Sequence, residues 1–365
     1  MTTVAVPRGL VYPVRHCMEA STTIPRVVLS RAERKAKALS EERPRTTLSF
    51  YRYVQVANPE EFRQRLVTGF SSFDCFGRIY VAREGINAQM NVPTEHWQDF
   101  DAWLQAQPEL TGVPYKLAVE EGEAPSFYKL TVKVRPKIVA DGLDDSSFDV
   151  TNTGAYLTAR EMNELIEDPE AIVVDMRNAY ESEIGHFQGA VTPDVDTFRE
   201  ELQVVPKLLE AHKDKKIGLY CTGGIRCEKA SAWLKHNGFS NVRHLQGGII
   251  DYARQVQAEG LPNKFLGKNF VFDERLGERV GSEIISHCHL CSMAKSDAHY
   301  HCRNQACHVL FLGCEACVAK YGGYCSRLCS LLDRLPTPLY RLYARYYHRY
   351  FRPAQFKKGR LRPST

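Results

Sequence analysis

The sequence predicts a multi-domain protein in which an α+β domain is followed by an α/β domain on a parallel sheet and then by a cysteine-rich module. Three observations predict it. Strand and helix patterns run β-α-β-β-α-β over 46–139 and then alternate over 153–262, as a parallel sheet covered on both faces requires. Of the 12 cysteines, eight crowd between Cys288 and Cys329. The chain's 365 residues, 44% of them apolar, exceed what one core organises, so two or three domains are expected.

Residues 1–45 carry several prolines and Arg8, Arg15, Arg26, Arg31, Arg34, Lys35 and Lys37 against few acids, and read as a flexible basic arm. An organellar presequence also fits an acid-poor, arginine-containing start, but Glu19 and the lack of a long amphipathic helix favour a plain extension. Globular patterning begins at Thr46 with a strand over 48–56. A helix follows from Asn58, with Phe62, Leu66 and Phe70 at spacing four, Asn58 as N-cap and Glu61 three residues on. Strands over 77–82 and 86–92 join through Arg83-Glu84-Gly85 as a hairpin, a helix covers 94–106, and strand-like runs return at 115–119 and 127–134. That order indicates a ferredoxin-like α+β domain, a fold serving many functions, RNA binding among them.

Acids, Gly142 and Asn152 make 140–152 a linker. Beyond it come a helix over 158–167, strand 171–175, helix 195–212, strand 216–220, helix 227–237, strand 242–245 and helix 248–259. No run of about eighteen apolar residues and no charged segment leading into an apolar one suggests a membrane span or a secretory signal. A soluble cytoplasmic protein with no membrane partner is expected. The net charge of +5 is modest, so its distribution matters more than its total, and basic residues gather at the two ends.

The strand over 216–220 runs into Cys221-Thr222-Gly223-Gly224-Ile225-Arg226-Cys227, where a helix opens. Cys221 therefore stands at the carboxyl end of a buried parallel strand, where open α/β sheets bind ligands. Two glycines let the loop curl its N–H groups inward as an anion nest, the helix start adds positive charge, and Arg226 adds a full cation. All three favour thiolate over thiol and predict a depressed pKa for Cys221. A cysteine at a strand end is by itself more often a packed core residue; the glycines, the arginine and the helix start select the reactive reading. Neither a phosphate-loop signature nor a C-x-x-C is present in this loop. Cys227 either resolves a persulfide or sulfenate on Cys221 into a disulfide or is a small buried residue.

Cys288-x-x-Cys291, Cys302-x4-Cys307, Cys314-x-x-Cys317 and Cys325-x3-Cys329 supply eight thiols in four close pairs. In a long chain without a secretory signal, metal ligation is the better reading than disulfides. Two closed, structural zinc sites of four thiolates each are expected, with the pairing open and with His287, His289, His301 or His308 able to replace a cysteine. In the tail, 331–365, only Asp333 opposes Arg334, Arg341, Arg345, Arg349, Arg352, Lys357, Lys358, Arg360 and Arg362, and Tyr340, Tyr343, Tyr346, Tyr347, Tyr350 and Phe351 are interleaved. Such a tail either binds RNA phosphates and stacks on bases, or forms an amphipathic helix whose tyrosines pack on the body.

Asp175-Met176-Arg177, Glu181, Gly185-His186-Phe187-Gln188-Gly189-Ala190, the Cys221 loop and Gly247-Gly248 together resemble the rhodanese domain. The resemblance implies a persulfide-bearing Cys221 with Arg226 as an anion partner, and structural roles for Asp175, Glu181 and His186 in orienting loops and capping helices. From about 44 to 330 the chain resembles the bacterial tRNA uridine hydroxylase family. Pro44-Arg45-Thr46-Thr47, Ala82-Arg83-Glu84-Gly85-Ile86-Asn87-Ala88, Val139-Ala140-Asp141-Gly142, the Cys221 loop through Glu228-Lys229-Ala230, Lys268-Asn269-Phe270-Val271-Phe272-Asp273-Glu274-Arg275 and the cysteine pattern carry that likeness.

This second resemblance implies an oxidoreductase that makes 5-hydroxyuridine at the tRNA wobble position with molecular oxygen as co-substrate. The tRNA anticodon region would be its partner. No Rossmann fingerprint supports NAD or flavin, and no 2-His-1-carboxylate set supports iron. Cys221 adding to uridine C6 would give C5 the electron density that oxygen chemistry without either cofactor needs. A persulfide sulfurtransferase acting on tRNA or a protein acceptor is the alternative, and a non-catalytic RNA-binding regulator the third reading.

Overall fold

A helix, α1 (Arg31–Ser40), stands within the stretch read as an arm, with Ala38 buried. The computed structural model describes residues 31–40, 43–119, 125–144 and 147–350; the rest of the arm and the tail beyond 350 lie outside the described residues.

The first domain comprises β1 (Arg45–Tyr53), α2 (Pro59–Ser72), β2 (Phe76–Ala82), β3 (Gly85–Pro93), α3 (Trp97–Gln105), β4 (Tyr115–Leu117) and β5 (Leu130–Val134). The expected β-α-β-β-α-β order is there, and a fifth strand pairs parallel to β2, giving the sheet β4-β1-β3-β2-β5. Asn58 caps α2 by accepting from the Glu61 amide. Alternation along the strands sorts the two faces. Leu48, Phe50, Ile79, Val81, Ile86, Ala88 and Met90 point to α2 and α3, where Phe62, Leu66, Phe70, Phe100 and Leu104 close the core. Thr47, Ser49, Tyr51, Arg78, Tyr80, Asn87 and Gln89 alternate with them and face the second domain.

That second domain holds β6 (Ala155–Leu157), α4 (Ala159–Glu167), β7 (Ala171–Asp175), α5 (Ala179–Ser182), β8 (Gly185–Phe187), α6 (Phe198–Leu208), β9 (Lys216–Tyr220), α7 (Ile225–His236), β10 (Val242–Leu245) and α8 (Gly248–Glu259). Its parallel sheet runs β6-β10-β9-β7. Three short elements were not expected: β6, α5 and β8, none long enough to show a period. The strand β11 (Phe265–Asn269) lies beyond the boundary read at 262, yet it pairs antiparallel with β8 and then with β12 (Glu278–Arg279). The stretch read as a linker is anchored where described. Asp141 is buried against Lys137 Nζ at 2.8 Å and Lys229 Nζ at 3.5 Å, and Phe148 packs on Trp233.

The module contains β13 (His299–His301), β14 (Leu310–Leu312), α9 (Glu315–Tyr321) and α10 (Arg327–Asp333), and its thiols are part of its small core with Phe311 and Tyr324. Into the tail, α11 (Thr337–Tyr350) docks through the Tyr340 hydroxyl, which donates to Asn304 Oδ1 and accepts from the Ala306 amide, both at 3.1 Å. Arg341, Arg345 and Arg349 are exposed on the same helix. Among the described residues no helix is long and apolar enough to cross a membrane.

Candidate active site

β9 delivers Cys221 to the point where the chain turns into α7. Gly224 makes the turn in the left-handed region, φ 96°, and a Cβ there would meet the Tyr51 hydroxyl at 2.8 Å. The start of α8 clamps the loop from the side, because Ile249 and Ile250 amides donate to the Cys221 and Thr222 carbonyls at 3.0 and 3.2 Å. Gly248 permits that approach: a Cβ would sit 2.5 Å from the Cys221 carbonyl oxygen.

The Cys221 sulfur accepts the Gly224 amide at 3.1 Å. Burial alone would push this thiol up; the Cys227 thiol, the Arg226 charge and the Cys227 and Arg226 amides outweigh it and hold Cys221 down at about 5. Cys227 moves the other way, pushed up by burial and by the neighbouring sulfur, so it acts as donor to its partner. Arg226 does not hang free beside the sulfur. It makes a two-pronged pair with Glu181 at 2.7 and 2.8 Å, and Thr222 Oγ1 lies 3.3 Å from both groups. Glu181 also caps α5 by accepting from the Asn178 amide at 3.1 Å. Asp175 pairs instead with buried Arg177 at 2.7 Å, and His186 Nδ1 meets the Ser182 carbonyl, both structural contacts as expected.

Cys221 opens on a cavity of about 390 Å³ whose roof is the polar face of the first domain's sheet. From that roof, Tyr51 donates to Glu228 Oε1 at 3.1 Å, joined there by Tyr156 of β6 at 2.9 Å, while Lys229 pairs with Glu84 of the hairpin at 2.8 Å. The two domains thus close the site together.

Two lining residues were missed in the sequence. Lys116 is buried at 6% exposure, its ammonium lies 4.9 Å from the Tyr51 ring centre, and it has no carboxylate partner among the described residues. Burial pulls its pKa down, against the pull of Asp251 and Cys221. Glu278 is buried, pushed up to about 7 by burial against the opposing Arg275 charge, and its Oε2 has no hydrogen-bond partner among the described residues. Nothing marked Lys116, a lone lysine in a three-residue strand. Glu278, three residues after Arg275, adjoins a quoted motif and its partner Arg275 lies 2.7 Å away, but its burial was not legible.

The eight clustered cysteines form two groups. Cys288, Cys291, Cys314 and Cys317 make one, and Cys302, Cys307, Cys325 and Cys329 the other, with the sulfurs of each group within 4.8 Å of one another. Four sulfurs roughly 2.3 Å from one ion lie roughly 3.8 Å apart. Cys307 and Cys325, 3.7 Å apart, and Cys325 and Cys329, 3.5 Å apart, fit that spacing. No histidine joins either group; His289 instead meets Glu183 at 2.8 Å.

Comparison with known proteins matches the same three parts. The UPF0176 acylphosphatase like domain matches residues 45–138, the rhodanese-like domain 158–255 and the rhodanase C-terminal pattern 266–330. A tRNA uridine(34) hydroxylase of Escherichia coli O17:K52:H18 is 53% identical over 296 residues, 81% of this chain and 84% of its own. The chain belongs to the tRNA uridine(34) hydroxylase family. A member from Salmonella newport is 52% identical over 309 residues, 84% of this chain and 88% of its own. Family membership thus reaches across the hairpin, the Cys221 loop and the cysteine module alike, as the quoted motifs implied.

Proposed function

We propose that this chain is a cytoplasmic enzyme that hydroxylates C5 of uridine 34 in the anticodon of tRNA, with Cys221 as nucleophile. The observation that carries the reading is a thiolate-favouring Cys221 opening on a cavity that also holds an unpaired ammonium and a carboxyl group of near-neutral pKa. That volume lies at the small end of the ~300–1,000 Å³ range of ligand pockets, suited to a single nucleoside.

In this reading the Cys221 sulfur adds to C6 of the uracil, and the C5=C6 electron pair moves toward C5 and O4. Lys116 donates a hydrogen bond to the carbonyl oxygen where charge develops. C5 then attacks a peroxide, the O–O bond breaks, and Glu278 gives its proton to the departing hydroxide as water. Now a carboxylate, Glu278 takes the C5 proton as the S–C6 bond breaks, which restores the thiolate and leaves 5-hydroxyuridine. The sum is uridine plus hydrogen peroxide to 5-hydroxyuridine plus water; with molecular oxygen as co-substrate, two electrons and two protons must come from an external reductant. Arg226 and the loop of Thr222, Gly223, Gly224 and Ile225 hold the sulfur ionised, and Cys227 donates to it. The two four-thiolate groups suit structural zinc, which would brace the module and take no part in these steps.

Two measurements test this. RNA carrying 5-fluorouridine at the target has no C5 proton to lose, so it should accumulate as a covalent adduct on Cys221; absence of the adduct under turnover conditions would falsify the route. The kcat/KM profile should rise through about pH 5 with Cys221 and fall through about pH 7 with Glu278, and the upper limb should vanish in Glu278→Gln. Nucleoside mass spectrometry on tRNA from a deletion strain separates the readings: missing 5-hydroxyuridine supports hydroxylation, missing thiolated nucleosides the sulfurtransferase.

A further inference from the structure

The Cys221 cavity does not end at the catalytic loop. A larger cleft of about 1030 Å³ continues from it, sharing Arg78, Tyr80 and Phe272 with its lining and reaching the cysteine module at His301 and His308 and the tail helix at Tyr347. The three parts of the chain therefore meet around one continuous space.

Its far wall has an unusual construction. The His301 and His308 rings stack with centroids 4.5 Å apart and planes inclined by only 11°. His308 holds φ 46°, a left-handed conformation that costs a non-glycine residue and that glycine would adopt freely. The knuckle between Cys302 and Cys307 enforces it: the His308 amide donates to the Asn304 carbonyl at 2.8 Å, and the Cys302 amide to the Val309 carbonyl at 2.9 Å. Two stacked rings in the lining of a cleft, one of them kept at a strained position, offer a stacking platform. Arg78 and Lys129 in the same lining are exposed and have no acidic partner among the described residues; the acids that share it are Asp196, Glu274 and Asp273, the last tied to Arg275. Stacked rings and unpaired cations in one lining match the base and the phosphate of single-stranded RNA.

We propose that this cleft binds the nucleotide next to the target uridine, its base stacked on the His301–His308 pair and its phosphates met by Arg78 and Lys129, so that the cysteine module forms one wall of the RNA site. The inference rests on the tRNA reading of the Cys221 cavity and assigns the module a share in substrate binding.

The test uses the full chain and an anticodon stem-loop RNA containing the target uridine. His308→Gly removes the ring while suiting the left-handed backbone, and is expected to raise the Kd about tenfold, within the range of losing one base stack. Bound metal and the Cys221 alkylation rate should stay unchanged in that variant, which shows an intact module and loop. Replacing the neighbouring nucleotide with an abasic one should weaken wild-type binding comparably and make wild type and His308→Gly equal. The pair Arg78→Gln and Lys129→Gln should lower the slope of log Kd against log salt by roughly one unit or more. Unchanged affinity in His308→Gly, or an equal loss on the abasic RNA, overturns the subsite even if tRNA hydroxylation by the wild-type chain stands. A wild-type chain that neither binds the stem-loop nor hydroxylates tRNA overturns the reading of the Cys221 cavity as well.

Discussion

Cysteine sulfur is used in two opposite ways in this chain. In the module, the four sulfurs of each group gather within 4.8 Å of one another, a spacing that could hold one shared cation. At Cys221 a single sulfur is held ionised by amides, by Arg226 and by the Cys227 thiol, and it faces a cavity. The first arrangement suits sulfurs that share one metal ion; the second leaves a single thiolate facing a cavity. Exposure to water does not separate them, since Cys221 and Cys288 are both almost fully buried.

The largest expected effect breaks the comparison at its reactive end. Cys221→Ser should lower hydroxylation of tRNA by at least about a thousandfold, because a hydroxyl of ordinary acidity is a poor nucleophile near neutrality. Bound metal per chain should not change in that variant. Residual activity of a tenth or more would show that another group attacks the ring.

Next in size is the converse experiment. Chelation should expose the eight module thiols to a thiol reagent and loosen β13, β14 and α9, since the sulfurs themselves form much of that small core. Alkylation of Cys221 should keep its rate, because its partners lie on its own loop, on α5 and at the starts of α7 and α8. A slowed Cys221 would mean that the module supports the loop directly.

A third test sharpens how the single sulfur stays charged. Arg226→Gln alone would leave Glu181 buried without its partner, a destabilisation that obscures any effect on the sulfur. The double variant Arg226→Gln, Glu181→Gln removes both charges. The midpoint of Cys221 alkylation against pH should then climb from about 5 by about one unit or more. No movement would assign the depression to the amides and Cys227 alone.

The contrast also decides what was legible in the sequence. Four close cysteine pairs announce metal knuckles, because one turn delivers both sulfurs of a pair. Which pairs combine was not legible: the structure joins first with third and second with fourth, an interleaving that depends on how β13 and β14 bring the knuckles together. The Cys221 loop was equally plain in its local dipoles. Its distant partners were not: Glu181 read only as a loop-orienting residue, while Tyr51, Lys116 and Glu278 come from β1, β4 and β12 and meet Cys221 only when the domains close. The strand β1 was legible, but not that its polar face lines the Cys221 cavity.

The smallest effect concerns a carboxyl group behind the reactive loop. Glu201 on α6 is fully buried, and neither of its oxygens has a hydrogen-bond partner among the described residues. Burial pushes its pKa well up; Arg226 opposes this, while Asp175, Glu181 and Cys221 add to it. In the folded chain it therefore holds its proton to a higher pH than in the unfolded chain, which releases it near its ordinary 4.5. Between those two values the folded state binds more protons than the unfolded one, so stability falls as pH rises, by up to about 1.4 kcal/mol per unit for one group. Glu201→Gln keeps the shape, stays neutral at every pH and removes that slope. Urea midpoints should favour the variant increasingly as pH rises from 5 to 8, with Cys221 alkylation altered little. Parallel curves for the two proteins would mean that Glu201 is ionised in the fold and shares the Arg226 charge with Glu181, which would leave less of that charge for the sulfur.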